Sequence, residues 1–298
     1  MRRAFFSMFA AVLGFISANA YSDSVQPTIH SKAAIVMELD SKKIIFQKNA
    51  YKSYYPASIT KLPAALYALK KGSKALSSIA TADRDTTGSI TKKFSIESNY
   101  KYPPHWLVLG GTHIQIHVGE KMSFSDLMYG MLLESANDAS NVVAKHVCGS
   151  VSVFIKELNA YLKDIGCKNT HFSNPHGLHF PKHMTTAYDM ALIACAAAKE
   201  PTLRQIMKTQ THKIPATNKK EARTIINRNK LLSKKSVYYY PYAIIGKTGF
   251  HNSSRNTLVA AAKKGDKTLV VVILQSPNKN IKYEDAIKLF EHGFSTLK

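Results

Sequence analysis

The sequence predicts an α/β (α+β) fold in which strands from both ends of the chain form one antiparallel sheet packed by helices. Two β-rich runs, Ala33 to Leu39 and Ile44 to Gln47, lie near the start of the 298-residue chain. Three more, Tyr242 to Gly246, Thr257 to Ala262 and Thr268 to Leu274, lie near its end. The residues between these two groups have mainly helical spacing of apolar side chains, so the terminal strands are expected to meet in a single sheet.

Each element follows from a local pattern. The polar residues Asp40 to Lys43 join the first two runs and predict a hairpin. Ile114 to Val118 alternates like a strand, and the polar, lysine-rich stretch Thr209 to Lys235 is expected to protrude. Helices are predicted over Leu62 to Leu69, Ser123 to Glu134, Asp138 to Val147, Val153 to Ile165, Thr186 to Ala198 and Tyr283 to Phe294.

The first twenty residues have the pattern of an export signal. Arg2 and Arg3 precede the apolar run Ala4 to Ile16, and Ala18-Asn19-Ala20 supplies small residues for cleavage. We expect a signal peptide at residues 1–20 and one unit over 21–298, with a helical subdomain at roughly 62–200 inserted between the terminal strands. The mature protein would be exported to the periplasm or extracytoplasmic envelope without a stable membrane anchor; an uncleaved N-terminal anchor is the alternative.

Charge and cysteine content exclude some classes of protein. The net charge is +22, but the lysines are dispersed along the chain rather than concentrated in a stripe, which disfavours nucleic acid as a partner. A solvated surface is the preferred explanation of this charge, and attraction to an anionic envelope polymer or membrane face is the alternative. The three cysteines, Cys148, Cys167 and Cys195, form no C-x-x-C pair and are expected to be buried thiols. One disulfide between two of them remains a possibility.

The tetrad S-I-T-K occurs twice, at Ser58 to Lys61 and at Ser89 to Lys92. Serine and lysine three residues apart share one face of a helix, where an uncharged lysine can act as the base for a serine nucleophile. The first copy leads into an apolar helix, whose dipole, together with a second cation, would lower the pKa of the lysine. The second continues into a polar stretch expected to favour β-structure, so Ser58 and Lys61 are the candidate catalytic pair.

Two further motifs follow in order, Ser135-Ala136-Asn137 and Lys247-Thr248-Gly249. Each motif alone is weak, but the ordered set S-x-x-K, S-x-N and K-T-G is typical of serine enzymes that react with penicillin. The sequence resembles the low-molecular-mass penicillin-binding proteins, the family of serine-type D-alanyl-D-alanine carboxypeptidases. Further matching stretches are Leu132 to Ala139, Asn169 to Phe172, Asn174 to Leu178, Asn227 to Leu232 and Gly246 to Phe250.

The resemblance implies a fold like that of serine β-lactamases and penicillin-binding-protein transpeptidases. It also implies that Ser58 attacks the carbonyl between two terminal D-alanines, that Lys61 takes its proton, and that Ser135 relays a proton to the leaving amine. The oxyanion would be held by the backbone N–H groups of Ser58 and Phe250. The substrate-binding residues it implies are Asn137, Lys247, Thr248, Gly249, Phe250 and Arg228.

The expected function is therefore a D-Ala-D-Ala carboxypeptidase that acts on peptidoglycan stem pentapeptides, with β-lactams as covalent inhibitors. A DD-endopeptidase that cleaves cross-links and a non-catalytic penicillin- or wall-binding sensor are the alternatives. The Glu-x-x-x-Asn motif of class A β-lactamases is missing between the second and third motifs, so slow release of penicillin is expected. The small β-domain and amphipathic anchor that often follow in this family are expected to be absent.

No cofactor and no metal are predicted. His113 and His117 are spaced by four residues and other histidines cluster between His171 and His183, but no H-E-x-x-H motif occurs. His251 is expected either to border the cleft or to lie at the surface. Arg255, where many relatives have a small residue, is expected to face either the carboxylate pocket or solvent.

Overall fold

The computed structural model describes residues 26–72 and 75–297, so the predicted signal peptide lies outside the described residues. In chain order the strands are β1 (Ala33–Glu38), β2 (Ile44–Lys48), β3 (Ile79–Thr81), β4 (Ser89–Ile90), β5 (Leu107–Val108), β6 (Lys121–Ser123), β7 (Thr211–Ile214), β8 (Arg223–Ile226), β9 (Ala243–His251), β10 (Arg255–Lys264) and β11 (Lys267–Ser276). The helices are α1 (Lys61–Lys70), α2 (Arg84–Thr87), α3 (Lys92–Glu97), α4 (Phe124–Tyr129), α5 (Asn137–Cys148), α6 (Val151–Asp164), α7 (Ala187–Lys199), α8 (Pro201–Lys208) and α9 (Ile281–Thr296). A 3-10 helix (Ala57–Thr60) precedes α1 and a π-helix (Gly130–Glu134) follows α4.

Strands from the two ends of the chain form one five-stranded sheet in the order β2-β1-β11-β10-β9. The first strand pairs antiparallel with the last, with Ala33 opposite Leu274. In β11 every residue from Thr268 to Leu274 is buried, which requires cover on both faces, and helices α7 and α9 both pack on this sheet. The predicted fold class is confirmed.

Side-chain caps fix where two central helices begin. The Ser150 hydroxyl accepts a hydrogen bond from the backbone N–H of Val153 at the start of α6. At the start of α7 the Thr186 hydroxyl accepts from the N–H of Asp189. Both hydroxyls satisfy donors that a helix leaves free in its first turn, so the predicted helices form close to their expected bounds.

The predicted strand at Ile114 to Val118 is wrong. Its backbone does not pair with another strand; instead the carboxylate of Asp138 accepts from the N–H groups of Ile114 and Ile116, at 3.2 and 3.0 Å. The carbonyl of Ile114 accepts from Arg223 Nη1 at 2.8 Å. A buried side chain from α5 has therefore taken the hydrogen bonds that a ladder would have used.

The polar stretch Thr209 to Lys235 contains an antiparallel pair of strands, β7 and β8, with Thr211 opposite Ile226. The Thr217 hydroxyl and the Arg223 guanidinium, both within this stretch, hydrogen-bond the buried carboxylate of Glu120. The sequence did not predict this hairpin, because its exposed residues are polar except for Ile226 and only Ile214 and Ile225 are buried.

All three cysteines are free thiols, so the disulfide that the sequence allowed does not form. Cys167 and Cys195 are buried, and burial raises the pKa of each thiol. Cys148 is half-buried and donates its S–H to Glu157. Among the described residues, no helix combines the length and the apolar character that crossing a membrane requires.

Candidate active site

Ser58 and Lys61 lie on consecutive turns at the junction of the 3-10 helix and α1. The junction places Lys61 Nζ 3.1 Å from Ser58 Oγ. Lys61 is fully buried, whereas Ser58 is half-exposed and lines a cleft. Burial, and then the nearby Lys247 ammonium, hold the pKa of Lys61 well below its usual 10.5; the Asp138 carboxylate opposes them.

The uncharged form of the Lys61 amine can make all of the contacts that surround it. Two acceptors lie close to Nζ, the Asn137 Oδ1 atom at 2.7 Å and the His176 carbonyl at 2.6 Å. A neutral amine has two N–H groups and one lone pair. With both N–H groups donated to these acceptors, the lone pair remains for the Ser58 O–H, which is the arrangement a general base requires.

Ser135 is placed by an irregular backbone. Helix α4 widens into the π-helix Gly130–Glu134, and Ser135 then adopts left-handed dihedrals (φ 67°, ψ 31°) before Asn137 begins α5. Left-handed backbone is uncommon for a residue other than glycine, and π-helical turns are frequent at functional sites. The break turns Ser135 and Asn137 toward the same centre from two different helices.

Lys247 lies on β9, the edge strand of the sheet, and its Nζ atom is 3.0 Å from Ser135 Oγ and 3.0 Å from the Thr248 carbonyl. It is only 3% exposed. Burial, followed by the charge of Lys282, lowers the pKa of Lys247 to about 7, while Glu134 opposes the shift. Each of the two serine hydroxyls thus lies within 3.1 Å of a buried lysine amine, and the charge of Lys247 disfavours the charged form of Lys61.

Glycines allow β9 and a loop to approach the serine closely. A Cβ atom on Gly249 would lie 2.8 Å from the Ser58 backbone nitrogen, and one on Gly177 would lie 2.0 Å from the Ala57 carbonyl oxygen. Gly177 also has a φ of +90°, and Ala57 itself has a positive φ of 52°. The residue before the nucleophile is therefore held in a strained conformation by its surroundings.

Buried histidines support this conformation. The His183 ring lies 2.9 Å from the Thr60 hydroxyl, which donates to the Ala57 carbonyl at 2.8 Å. Burial lowers the pKa of His183 to about 3, so it is neutral, and its Nδ1 accepts from the Ser173 N–H. These bonds give His183 a structural role. Among the described residues, no group of side chains could hold a metal ion.

Sequence reasoning missed the part played by His176. Its carbonyl accepts from Lys61, while its ring bonds the carbonyl of His105 and the N–H of Leu178. Burial holds the pKa of the ring well below its usual value. The stretch Asn174 to Leu178 is one of those that match the family. The identity of a residue does not show that its backbone oxygen is used, however, because every residue has one.

A cleft of about 500 Å³ opens at the serine, and Ser58, Asn137 and Phe250 all line it. His251 also lines the cleft, and its ring stacks on that of His179 with centroids 5.5 Å apart. Of the two positions expected for His251, the one at the border of the cleft is confirmed. Arg255 is exposed to solvent and lies outside the lining.

The structure brings most of the predicted site residues together around the cleft and leaves one at its margin. Thr248 and Gly249 lie on β9 between Lys247 and Phe250. Arg228 is largely exposed and forms an ion pair with Glu134, the residue before Ser135, at 2.5 Å. Its contact with the predicted centre is therefore indirect.

The second copy of the tetrad has a different structure. Ser89 is exposed on β4, and Thr91 caps the short helix α3 by accepting from the Phe94 N–H. The predicted β-prone continuation is wrong, because this cap begins a helix at Lys92. Lys92 is exposed and lines the cleft.

The fold, with its three motifs gathered at one cleft, is that of the penicillin-binding DD-transpeptidase class. The Streptomyces K15 DD-transpeptidase superposes with a TM-score of 0.76 at 26% identity, covering 91% of this chain and 99% of that one. A D-alanyl-D-alanine carboxypeptidase from Mycobacterium tuberculosis H37Rv superposes with a TM-score of 0.74 at 28% identity, covering 91% and 93%.

A family model described as D-alanyl-D-alanine carboxypeptidase, peptidase family S11, matches residues 20–278. The chain belongs to this family. It is 28% identical over 268 residues to the D-alanyl-D-alanine carboxypeptidase DacF of Bacillus subtilis, covering 89% of this chain. It is 30% identical over 266 residues to DacB2 of Mycobacterium tuberculosis, covering 88% of this chain and 81% of that relative. The chain spans 62% of the length of DacF.

Proposed function

We propose that the protein is a serine-type D-Ala-D-Ala carboxypeptidase that removes the terminal D-alanine of peptidoglycan stem pentapeptides through an acyl-enzyme on Ser58. The observation that carries this proposal is the environment of Lys61, whose amine is buried, donates to two oxygens and faces Ser58 Oγ at 3.1 Å. A protein that only bound penicillin or wall polymer would gain nothing from a deprotonated lysine at that distance.

In the acylation step the Ser58 O–H gives its proton to Lys61 Nζ while Oγ attacks the carbonyl carbon of the scissile bond. The resulting oxyanion is held by the backbone N–H groups of Ser58 and Phe250, and such a donor lowers a barrier by about 3 kcal/mol. Ser135, hydrogen-bonded to Lys247 at 3.0 Å, relays a proton to the leaving amine. The C–N bond breaks, D-alanine leaves, and water then hydrolyses the ester.

Binding of the substrate uses the other residues of the centre. The Lys247 ammonium and the Thr248 hydroxyl bind the terminal carboxylate. The Asn137 Oδ1 atom accepts a hydrogen bond from Lys61, which leaves the Asn137 Nδ2 group to donate to the peptide of the substrate. Gly249 lets the substrate lie close to β9, and Arg228 acts through Glu134 to position the backbone before Ser135.

β-Lactams are proposed to acylate Ser58 and to be released slowly. The protein uses no cofactor, and its partners are the stem peptide and these inhibitors. We further propose export to the periplasm or extracytoplasmic envelope after cleavage of residues 1–20, since the stem peptide is found there.

Fluorescent penicillin and D-alanine release test the proposal together. The wild type is expected to bind the label covalently and to release D-alanine from a pentapeptide, and Ser58→Ala is expected to lose both. Ser89→Ala, in the other copy of the tetrad, is the matched control and should keep both. Labelling without release of D-alanine would favour the sensor, and release only from cross-linked peptides would favour the endopeptidase.

A further inference from the structure

The cleft includes the nucleophile but not the second buried lysine. Ser58 and Asn137 line it together with Phe250 and His251, at the end of β9. Lys247 does not line it. If the terminal carboxylate lies at Lys247, as the proposed function requires, the rest of the peptide on the acyl side of the scissile bond must occupy this cleft. Its volume of about 500 Å³ is in the range of ligand sites.

The walls of the cleft are neutral with one exception. Apolar side chains are exposed along it, with Ile96 60% and Leu109 61% exposed, and none of the described residues that line it is acidic. The stacked His179 and His251 are uncharged near neutral pH, because burial lowers the pKa of each. Lys92 is the charged side chain that remains.

The ammonium of Lys92 is not neutralised by a protein partner within the described chain. The adjacent Lys93 pairs with Glu97 at 3.7 Å, one turn further along α3, whereas the described ion pairs do not include Lys92. Its charge acts on another residue of the lining: after burial and His179, the charge of Lys92 also lowers the pKa of His251. An uncompensated cation over an otherwise neutral, partly apolar cleft is a binding position for an anion.

We propose that Lys92 is a specificity-determining residue that binds a carboxylate on the acyl side of the substrate, so that stem peptides with a free carboxylate upstream of the scissile bond are preferred over amidated ones. The inference rests on the proposed function. The carboxylate could come from the second residue of the stem, when that residue is linked through its side chain, or from the side chain of the third.

Three pentapeptides that end in D-Ala-D-Ala and have meso-2,6-diaminopimelate as the third residue test this inference. The first has free carboxylates at residues two and three, the second is amidated at residue two, and the third is amidated at residue three. The wild type is expected to hydrolyse the first peptide with a kcat/KM about tenfold above that for one of the two amidated peptides. A factor of about ten corresponds to the loss of one hydrogen bond to a charged group. The peptide that reacts more slowly identifies the carboxylate.

Lys92→Gln is expected to abolish this preference and Lys92→Arg to keep it. Lys93→Gln, one residue along the same helix, is the matched control and should behave as the wild type. The rate of acylation by a penicillin without a second carboxylate reports the chemistry at Ser58 separately and should be equal in all four proteins.

Equal rates for the three peptides in the wild type, or an unchanged preference in Lys92→Gln, would overturn the inference and leave the proposed function standing. Absence of D-alanine release from all three would overturn the proposed function and this inference with it.

Discussion

The two copies of S-I-T-K in this chain share four residues and have opposite surroundings. In the first, Lys61 is fully buried at the start of α1, and its amine lies within hydrogen-bond distance of three oxygens. In the second, Ser89 is exposed on a short strand and Lys92 is exposed at the start of α3. The tetrad supplies the side chains, but burial and a second buried lysine decide whether the amine becomes a base.

The difference also shows in the threonine of each copy. Thr60 donates to the Ala57 carbonyl and contacts the His183 ring, so it holds the backbone before the nucleophile. Thr91 caps a helix by accepting from the Phe94 N–H. The threonine hydroxyl of the first copy thus maintains a strained backbone, whereas that of the second copy begins an ordinary helix.

Replacing each lysine by methionine tests the comparison with the largest expected effect. Lys61→Met keeps the length of the side chain and removes the base, so the acylation rate with penicillin should fall by about 10²- to 10⁴-fold. Lys92→Met should leave that rate within about twofold, because the exposed side chain of Lys92 makes no hydrogen bond to Ser58 or Lys61 and takes no part in proton transfer. Stopped-flow measurement of penicillin acylation gives both rates.

Circular dichroism establishes that both methionine variants are folded. A Lys61→Met protein that is folded and still acylates at the wild-type rate would remove the reason for treating the two copies differently.

Replacing the glycine that lies next to each copy, Gly177 or Gly88, by alanine tests the comparison through stability, with a smaller expected effect than the lysine replacements. A Cβ at Gly177 would lie 2.0 Å from the Ala57 carbonyl oxygen at a φ of +90°, so Gly177→Ala should lower the free energy of unfolding by more than about 3 kcal/mol. At Gly88, before the second copy, the nearest atoms would be the Arg84 carbonyl oxygen at 3.1 Å and the Trp106 side chain at 3.2 Å. Because Gly88 has a φ of −53°, which alanine also adopts, Gly88→Ala should change the free energy of unfolding by less than about 1 kcal/mol.

Urea denaturation measures both glycine variants. Equal losses of stability would mean that the backbone at Ala57 can relax, and that the strain before the nucleophile is not maintained by its surroundings.

The sequence predicted the terminal strands and the central helices because their periodicity reflects burial. It could not predict elements whose backbone bonds are taken by side chains. Ile114 to Val118 has the alternation of a strand, yet its N–H groups are bound by Asp138, a residue that lies on a later helix. The π-helix before Ser135 was likewise read as ordinary helix, since an extra residue per turn leaves the apolar pattern nearly unchanged.

The candidate site was predictable where it depends on residue type and not where it depends on backbone position. Ser58, Lys61 and Lys247 follow from the ordered motifs, and the structure brings them to one centre. The carbonyl of His176 does not, because any residue supplies a carbonyl and only the fold places this one 2.6 Å from Lys61. Arg228 follows from its motif, but its ion pair with Glu134 depends on a contact between distant segments.

The charge state of Lys61 tests the central claim most directly. A protein labelled with ¹³C and ¹⁵N at lysine, assigned with Lys61→Arg, allows its amine to be titrated by NMR. Burial first, and then the Lys247 charge, should bring the titration of Lys61 well below the usual pKa of 10.5, and Lys247→Met should shift it upward. A Lys61 that titrates near 10.5 in the wild type would be protonated at neutral pH, and the proposed base would be contradicted.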